Sequence, residues 1–172
     1  SAPFWACFPR CRQGDFIICF GDGDTGQPNM TGVFSVGENP TIDVIGADTL
    51  ANGHLWVAIV DVSGNLYNLL PNITRSEDAL DALGTEEGGL RTVRVAYSLA
   101  ERAEDPQRLA FLVDENFGKS LVMVLHTDEP LFAELRTTTE SVRAFSEKLA
   151  ERLASGEVTI HSVTTRLIDS RK

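Results

Sequence analysis

The 172-residue sequence predicts an α+β protein, a compact β-rich antiparallel sandwich with one short helix and one long C-terminal amphipathic helix. Two observations predict the strands: the apolar runs are short, and clusters of Gly, Pro, Asn and Asp separate them. A third observation predicts the long helix, because apolar residues recur at helical spacing near the C-terminal end of the sequence. We expect a single domain over residues 15–172, preceded by a tail or anchored loop over residues 1–14.

The clearest element is a hairpin formed by residues 54–61 and 66–70. Both faces of the first strand are apolar, with Trp56 and Ala58 alternating with Val57 and Ile59, which predicts a central strand. Ser63-Gly64-Asn65 supplies the positive φ of a tight reversal, and Pro71 ends the second strand. Further strands are predicted at 15–20, 33–36, 41–45, 92–97 and 158–168, with a second hairpin over 109–125 whose return strand covers 120–126.

Two helices are predicted. The short one covers residues 76–83, with Ser76 as N-cap and acidic residues in the first turn. The long one covers 138–155, with a capping box formed by Thr137 and Glu140 and a stop at Gly156. The apolar stripe of the long helix comprises Val142, Phe145, Leu149 and Leu153. The expected core comprises Trp56, Val57, Ile59, Tyr67, Leu69, Leu121, Val124, Phe145 and Leu149.

Composition limits the classes of partner. The 15 basic and 25 acidic residues give a formal net charge of −10, and no basic run offsets it, which argues against binding to nucleic acid. The longest apolar runs are far too short to span a bilayer, so direct membrane insertion is not expected. We expect the partner to be a protein or a small ligand, and no cofactor is indicated.

All three cysteines lie within the first nineteen residues. Cys19 falls in an apolar run and is predicted to be a buried, small hydrophobic residue. Cys7 and Cys11 flank a short segment without periodicity, and a disulfide between them would indicate an oxidising compartment. That possibility favours an extracytoplasmic location, in the periplasm or cell envelope, over the cytoplasm.

Asp22 and Asp24 are the most suggestive candidates for chemistry. Asp22-Gly-Asp24 after an apolar strand is similar to the paired aspartates of haloacid-dehalogenase phosphatases, and Asp24-Thr25-Gly26 matches the aspartic-protease tripeptide. The phosphatase pattern expects Thr where Gly26 stands and a helix afterwards. We therefore favour a solvated turn, and a hydrolase using Asp22 and Asp24 is the alternative.

The remaining candidates are loop residues. Loops 21–31, 72–75 and 114–118 are the expected binding surface, because function concentrates on loops held by a rigid scaffold. Phe132, with its neighbours, either contacts a partner or seats the following helix. His54, His126 and His161 could bind a metal only by converging in space, so no metal site is predicted. The candidate ligand- or partner-binding residues are Asp22, Asp24, Asn72, Arg75, Phe117 and Phe132.

Three stretches together resemble a bacterial family of domains of unknown function. They are the hairpin ending in Leu-Pro-Asn (55–72), the segment FGKSLVMVLHTDEPLF (117–132) and the helix-forming segment LRTTTESVRAFSEKLAERL (135–153). Members of that family are appended to serine/threonine kinases, caspase-like proteins, secretion-linked proteins and envelope lipoproteins. The resemblance covers residues 30 to 155 and carries over no catalytic residues.

What the resemblance implies is a non-enzymatic accessory module that binds a protein or ligand, within a signalling, secretion or envelope protein. A scaffold subunit of a secretion or envelope assembly is a further alternative. A scaffold subunit would present an apolar patch larger than a few hundred Å².

Overall fold

The structure is a computed structural model that describes residues 12–13 and 15–172. Cys7 and Cys11 lie outside the described residues, and so does their predicted disulfide. Sheet A contains β1 (Arg12–Gln13), β2 (Phe16–Asp22), β3 (Pro28–Asn29), β5 (Pro40–Ala47), β8 (Thr85–Glu87) and β9 (Leu90–Ala96). Sheet B contains β4 (Val33–Ser35), β6 (His54–Val60), β7 (Asn65–Leu70), β10 (Gly118–Thr127), β11 (Thr139–Ser141) and β12 (Ile160–Arg171).

The two sheets pack face to face, which confirms a β-rich sandwich of the α+β type. The strand order is β1-β2-β5-β9-β8 in sheet A, with β3 beside β2, and β11-β7-β6-β10-β12-β4 in sheet B. Strand pairs are antiparallel except for β12 and β4, which run parallel, with Asp169 opposite Val33. Sheet B is therefore mixed, where an all-antiparallel sandwich was expected.

Sheet B has an apolar core on each of its faces, and alternation along β6 shows why. Leu55, Val57 and Ile59 belong to the core between the sheets, whereas Trp56 and Ala58 belong to a second core on the opposite face. The helix α2 (Val142–Ala154) covers the second core with Phe145. Because side chains alternate at period two, a strand buried on both faces must be apolar throughout. That is the pattern the sequence shows at β6.

The predicted hairpin is confirmed as β6 and β7, and Gly64 adopts φ +82° in its turn. Six of the nine predicted core residues are buried: Trp56, Val57, Ile59, Leu69, Val124 and Phe145. Tyr67, Leu121 and Leu149 are half-buried instead.

The short helix predicted over 76–83 is wrong. Its backbone pairs with the start of β6, since Leu55 N–H donates to Asp78 C=O at 2.9 Å and Leu80 N–H donates to Gly53 C=O at 3.0 Å. A helix would need those groups for itself. Within residues 76–83, the helical structure is limited to a 3-10 turn at Leu80–Ala82. The short helix is α1 (Leu99–Glu104), which begins at a capping box formed by Ser98 and Glu101.

The long helix predicted over 138–155 is not confirmed at that length. Residues Thr139–Ser141 form β11, which pairs with β7, and α2 begins at Val142 with Ser141 as its N-cap. Glu140 makes no capping box, because its carboxylate accepts hydrogen bonds from Asn68 and Arg136. Nor is the helix the last element of the chain, since β12 follows it.

The second predicted hairpin, over 109–125, is also wrong. Its return strand exists as β10, but β10 pairs with β6 and β12 rather than with residues 109–113. That segment instead exchanges backbone hydrogen bonds with the turn after β4, where Val113 N–H donates to Glu38 C=O at 2.9 Å. Two long neighbouring strands satisfy both edges of β10, and no edge is left for a local hairpin partner.

Candidate functional site

A buried asparagine, Asn68, lies at the centre of a polar network on the α2 side of sheet B. Its side-chain oxygen accepts from Trp56 Nε1 at 3.1 Å. Its side-chain nitrogen donates to the carbonyl of Thr137 at 2.9 Å and to Glu140 Oε2 at 2.7 Å. Asn68 is fully buried, so every polar group it offers must find a partner inside the protein. The network meets that requirement and ties residues 137–140 to the sheet.

Glu140 extends this network to Arg136. The Arg136 guanidinium donates through Nε to Glu140 Oε2 at 3.1 Å and through Nη2 to Oε1. The Glu140 side chain is 8% exposed, and its hydrogen bonds raise the pKa of Arg136 above the ordinary value for arginine. A two-point pair of this kind fixes the geometry of both side chains. The segment 132–136 is thereby held at one place on the surface.

Phe132 anchors the other end of that segment. Its ring makes edge contacts with Trp56 at 4.9 Å and with Phe145 of α2 at 5.5 Å between centroids. The guanidinium of Arg136 lies 5.2 Å from the centroid of the same ring. Of the two roles expected for Phe132, the structure therefore shows the seating of the following helix.

A groove of about 370 Å³ lies between the segment 132–136 and α2. Arg152 closes one side, since its Nε donates to Leu131 C=O at 3.1 Å and its Nη2 donates to Pro130 C=O at 3.3 Å. Leu135 is 47% exposed beside the opening. The groove is lined by Phe132, Ala133, Glu134, Leu135, Arg136, Lys148, Glu151, Arg152, Ser155 and Glu157.

The turn at 72–75 adjoins this segment, because Ile73 N–H donates to Arg136 C=O at 3.2 Å. Asn72 is fully buried, and its side-chain oxygen accepts from Thr74 N–H at 2.8 Å and from Arg75 N–H at 3.0 Å. Asn72 cannot touch a ligand in this arrangement, but it shapes the turn that carries Arg75. Three of the candidate residues, Asn72, Arg75 and Phe132, thus belong to neighbouring segments.

Asp22 and Asp24 lie elsewhere, in the turn after β2. Asp22 Oδ1 accepts from Asp24 N–H at 2.9 Å, and the backbone of Asp22 bonds to Gly26 and Gln27. Neither carboxylate forms an ion pair with any residue that the structure describes. This is the geometry of a turn stabilised by its own aspartate side chain. Among the described residues, no histidine, cysteine or further acidic side chain joins Asp22 and Asp24 in a cluster that could hold a metal ion.

Phe117 and the three histidines lie apart from the groove, and His126 Nδ1 lies 3.5 Å from Asp15 Oδ2. Phe117 is half-buried and packs against the core between the sheets. His126 and His161 do approach each other, with ring centroids 5.1 Å apart, and His54 Nδ1 lies 3.0 Å from Asp78 Oδ1. Within residues 12–13 and 15–172, no three His, Cys, Asp or Glu side chains are placed to hold a metal ion.

Cys19 on β2 is a poor nucleophile. Burial is the largest influence and raises the pKa of its thiol to about 12, while the charge of Arg166 lowers it and that of Asp43 raises it further. Burial likewise raises the pKa of Asp43, and Arg94 opposes that shift. Since the thiolate is the reactive form, the raised pKa disfavours reaction of this thiol at neutral pH.

Asn68, Arg136 and the pairing role of Glu140 were not predicted from the sequence. An Asn inside the otherwise apolar strand 66–70 was the available signal, because a buried amide needs partners from another segment. Trp56 lies 12 residues away on the neighbouring strand, but Thr137 and Glu140 lie about 70 residues away in the chain, where no local pattern identifies them.

No family model, curated protein or solved structure matches this chain. In the part of the chain that the structure describes, neither helix has the length and apolar character needed to cross a membrane.

Proposed function

We propose that this protein is a non-enzymatic binding module that recognises a segment of another protein in the groove between residues 132–136 and α2. The observation that carries the proposal is the frame around that groove. Asn68, Glu140 and Arg136 hold one wall rigidly, and Arg152 fixes the other wall to residues 130–131. A preformed wall lowers the entropy cost of binding.

The occupant we propose is a peptide segment with one apolar side chain flanked by Lys or Arg. The exposed Leu135 offers an apolar contact at the opening. Arg136 and Arg152 are already paired with Glu140 and Glu157, whereas Glu134 has no cationic partner within 4.0 Å among the described residues. The carboxylate of Glu134 and the net charge of −10 together produce a negative field that attracts basic partners.

Such a module fits the accessory role implied by the resemblance of residues 30 to 155 to domains appended to kinases, secretion-linked proteins and envelope lipoproteins. We propose the same setting here, within a bacterial signalling, secretion or envelope protein. The turn-bound Asp22 and the raised pKa of the Cys19 thiol also favour binding over catalysis.

A displayed library of random peptides, selected against the purified protein, tests the proposal. We expect the recovered peptides to share an apolar residue with flanking Lys or Arg, and to bind more weakly as salt increases. Leu135→Asp should weaken binding by about tenfold or more. Leu112→Asp is the matched control, because Leu112 is also exposed (46%) but lies outside the groove, and it should bind as the wild type does.

Two results would contradict the proposal. One is a failure to select any peptide that binds the folded protein. The other is a set of peptides whose affinity is unchanged by Leu135→Asp, which would place the binding surface elsewhere.

A further inference from the structure

A second feature, separate from the groove, is a tyrosine contacted by two guanidinium groups. Tyr97 follows β9 directly. Arg75, from the turn at 72–75, has its guanidinium carbon 5.6 Å from the centroid of the Tyr97 ring. Arg108, which follows α1, lies 5.1 Å from the same centroid. Guanidinium groups are attracted to the faces of aromatic rings, so the ring gathers two cations in one place.

Backbone carbonyls hold both guanidiniums in position. Arg75 Nη1 donates to Arg94 C=O at 2.8 Å, and Arg108 Nη1 donates to Glu101 C=O at 3.1 Å. The buried Asn72 accepts from the backbone of Arg75 and so fixes the turn that carries it. Each guanidinium has five N–H groups, and one carbonyl bond leaves most of them available to a ligand.

The charge at this place is poorly balanced. No carboxylate oxygen of any described residue lies within 4.0 Å of the Arg75 guanidinium nitrogens. Arg108 has carboxylates at 3.8 Å, from Glu104, and at 3.9 Å, from Asp105, whose side chains are 82% and 50% exposed. Long, exposed pairs of this kind contribute little. Two largely uncompensated cations therefore share one ring in a protein of net charge −10.

We propose that Arg75 and Arg108, held on Tyr97, form a binding site for an oxyanion, either a carboxylate or a phosphate group. The planar fork of a guanidinium matches the oxygens of both groups. Contacts with the ring and the carbonyls restrict the two side chains before the ligand arrives. The negative field of the whole protein disfavours general accumulation of anions, so measurable affinity for an anion reports on this local pair.

The test is a titration of the ¹⁵N-labelled protein, following the arginine Nε–H signals by NMR, with inorganic phosphate in one series and acetate in another. We expect saturable shifts of Arg75 and Arg108. Stronger binding of phosphate identifies a phosphate ligand, and equal or stronger binding of acetate identifies a carboxylate ligand. Arg75→Gln and Arg108→Gln should each weaken binding by about tenfold or more.

Arg102→Gln is the matched control, because Arg102 is an exposed arginine of α1 that contacts neither Tyr97 nor Arg75. It should leave the affinity unchanged. Arg108→Gln keeps the test valid if Arg75→Gln perturbs the turn. The proposal is overturned if neither anion gives saturable shifts below about 50 mM, or if Arg102→Gln weakens binding as much as the other two variants do.

Discussion

The polar residues around Asn68 and those around Asp22 are used in opposite ways. Asn68 joins groups that are far apart in sequence: Trp56 on β6, the carbonyl of Thr137 and the carboxylate of Glu140. Asp22 serves only its own turn, accepting the N–H of Asp24 two residues on. A polar side chain that accepts only from its own turn joins no distant segments of the chain. One that fastens distant segments can hold a groove open at the surface.

The Asp22 turn and Asn68 also differ in the signal that each gives in the sequence. Closely spaced aspartates resemble a catalytic motif, yet their geometry is that of a turn. A lone Asn within an apolar strand matches no motif, yet it organises the candidate site. Burial and the distance to its partners decide the role of a polar residue, and its resemblance to a motif does not.

The largest expected effect concerns the chemistry of Cys19, near the start of the Asp22 turn. A rise in the thiol pKa from 9.0 to about 12 lowers the thiolate fraction at pH 8 roughly 1000-fold. Alkylation of Cys19 by iodoacetamide, resolved by peptide mass spectrometry, should be slower in the native protein by about that factor than in urea. Because folding raises this pKa, stability should also fall as the pH rises above about 9. Equal native and unfolded alkylation rates would contradict this account of Cys19.

Asn68→Ala should produce the next largest effect. It removes three side-chain hydrogen bonds and leaves the buried Trp56 N–H without a partner, which should lower the free energy of unfolding by about 3 kcal/mol. Urea denaturation measures the change. Asn65→Ala, on the same strand but exposed, should lose less than about 1 kcal/mol. A loss below about 1 kcal/mol for Asn68→Ala would show that the network does not fasten residues 137–140.

The smallest effect is expected for Asp24→Ala. Asp24 is exposed, and its carboxylate makes no hydrogen bond or ion pair with any described residue. The free energy of unfolding should change by less than about 0.5 kcal/mol. A destabilisation well above that would reveal a structural role for the carboxylate, and would weaken the contrast between the two regions.

The sequence was sufficient to predict the parts of the fold whose signals are local. The hairpin of β6 and β7 has strong periodicity and a Gly64 turn. Of the predicted apolar stripe of α2, Val142, Phe145 and Leu149 face the second core, whereas Leu153 is exposed. The failures share one cause, which is that distant pairing overrides local propensity. Residues 76–80 bond to the start of β6, residues 139–141 join β7, and residues 109–113 bond to the turn after β4.

The candidate site was harder to predict than the fold. Phe132 was expected either to contact a partner or to seat the following helix, and the structure shows it buried against Trp56. Arg75 was expected to be a binding residue on a loop, and its guanidinium lies over the Tyr97 ring. Asn72 was selected as a contact residue and proves to be buried. Its role is to shape the turn. Which side of a loop residue faces solvent depends on neighbours that are contributed by other elements, and a single sequence does not reveal them.

The most direct test of the central claim compares two variants in binding to one selected peptide. Leu135→Asp alters the groove, whereas the double variant Asp22→Asn with Asp24→Asn alters the turn and keeps the side-chain oxygen that accepts the N–H of residue 24. We predict at least about tenfold weaker binding for Leu135→Asp and unchanged binding for the double variant. Weaker binding by the double variant, with Leu135→Asp unaffected, would contradict the account and return the functional site to the aspartates.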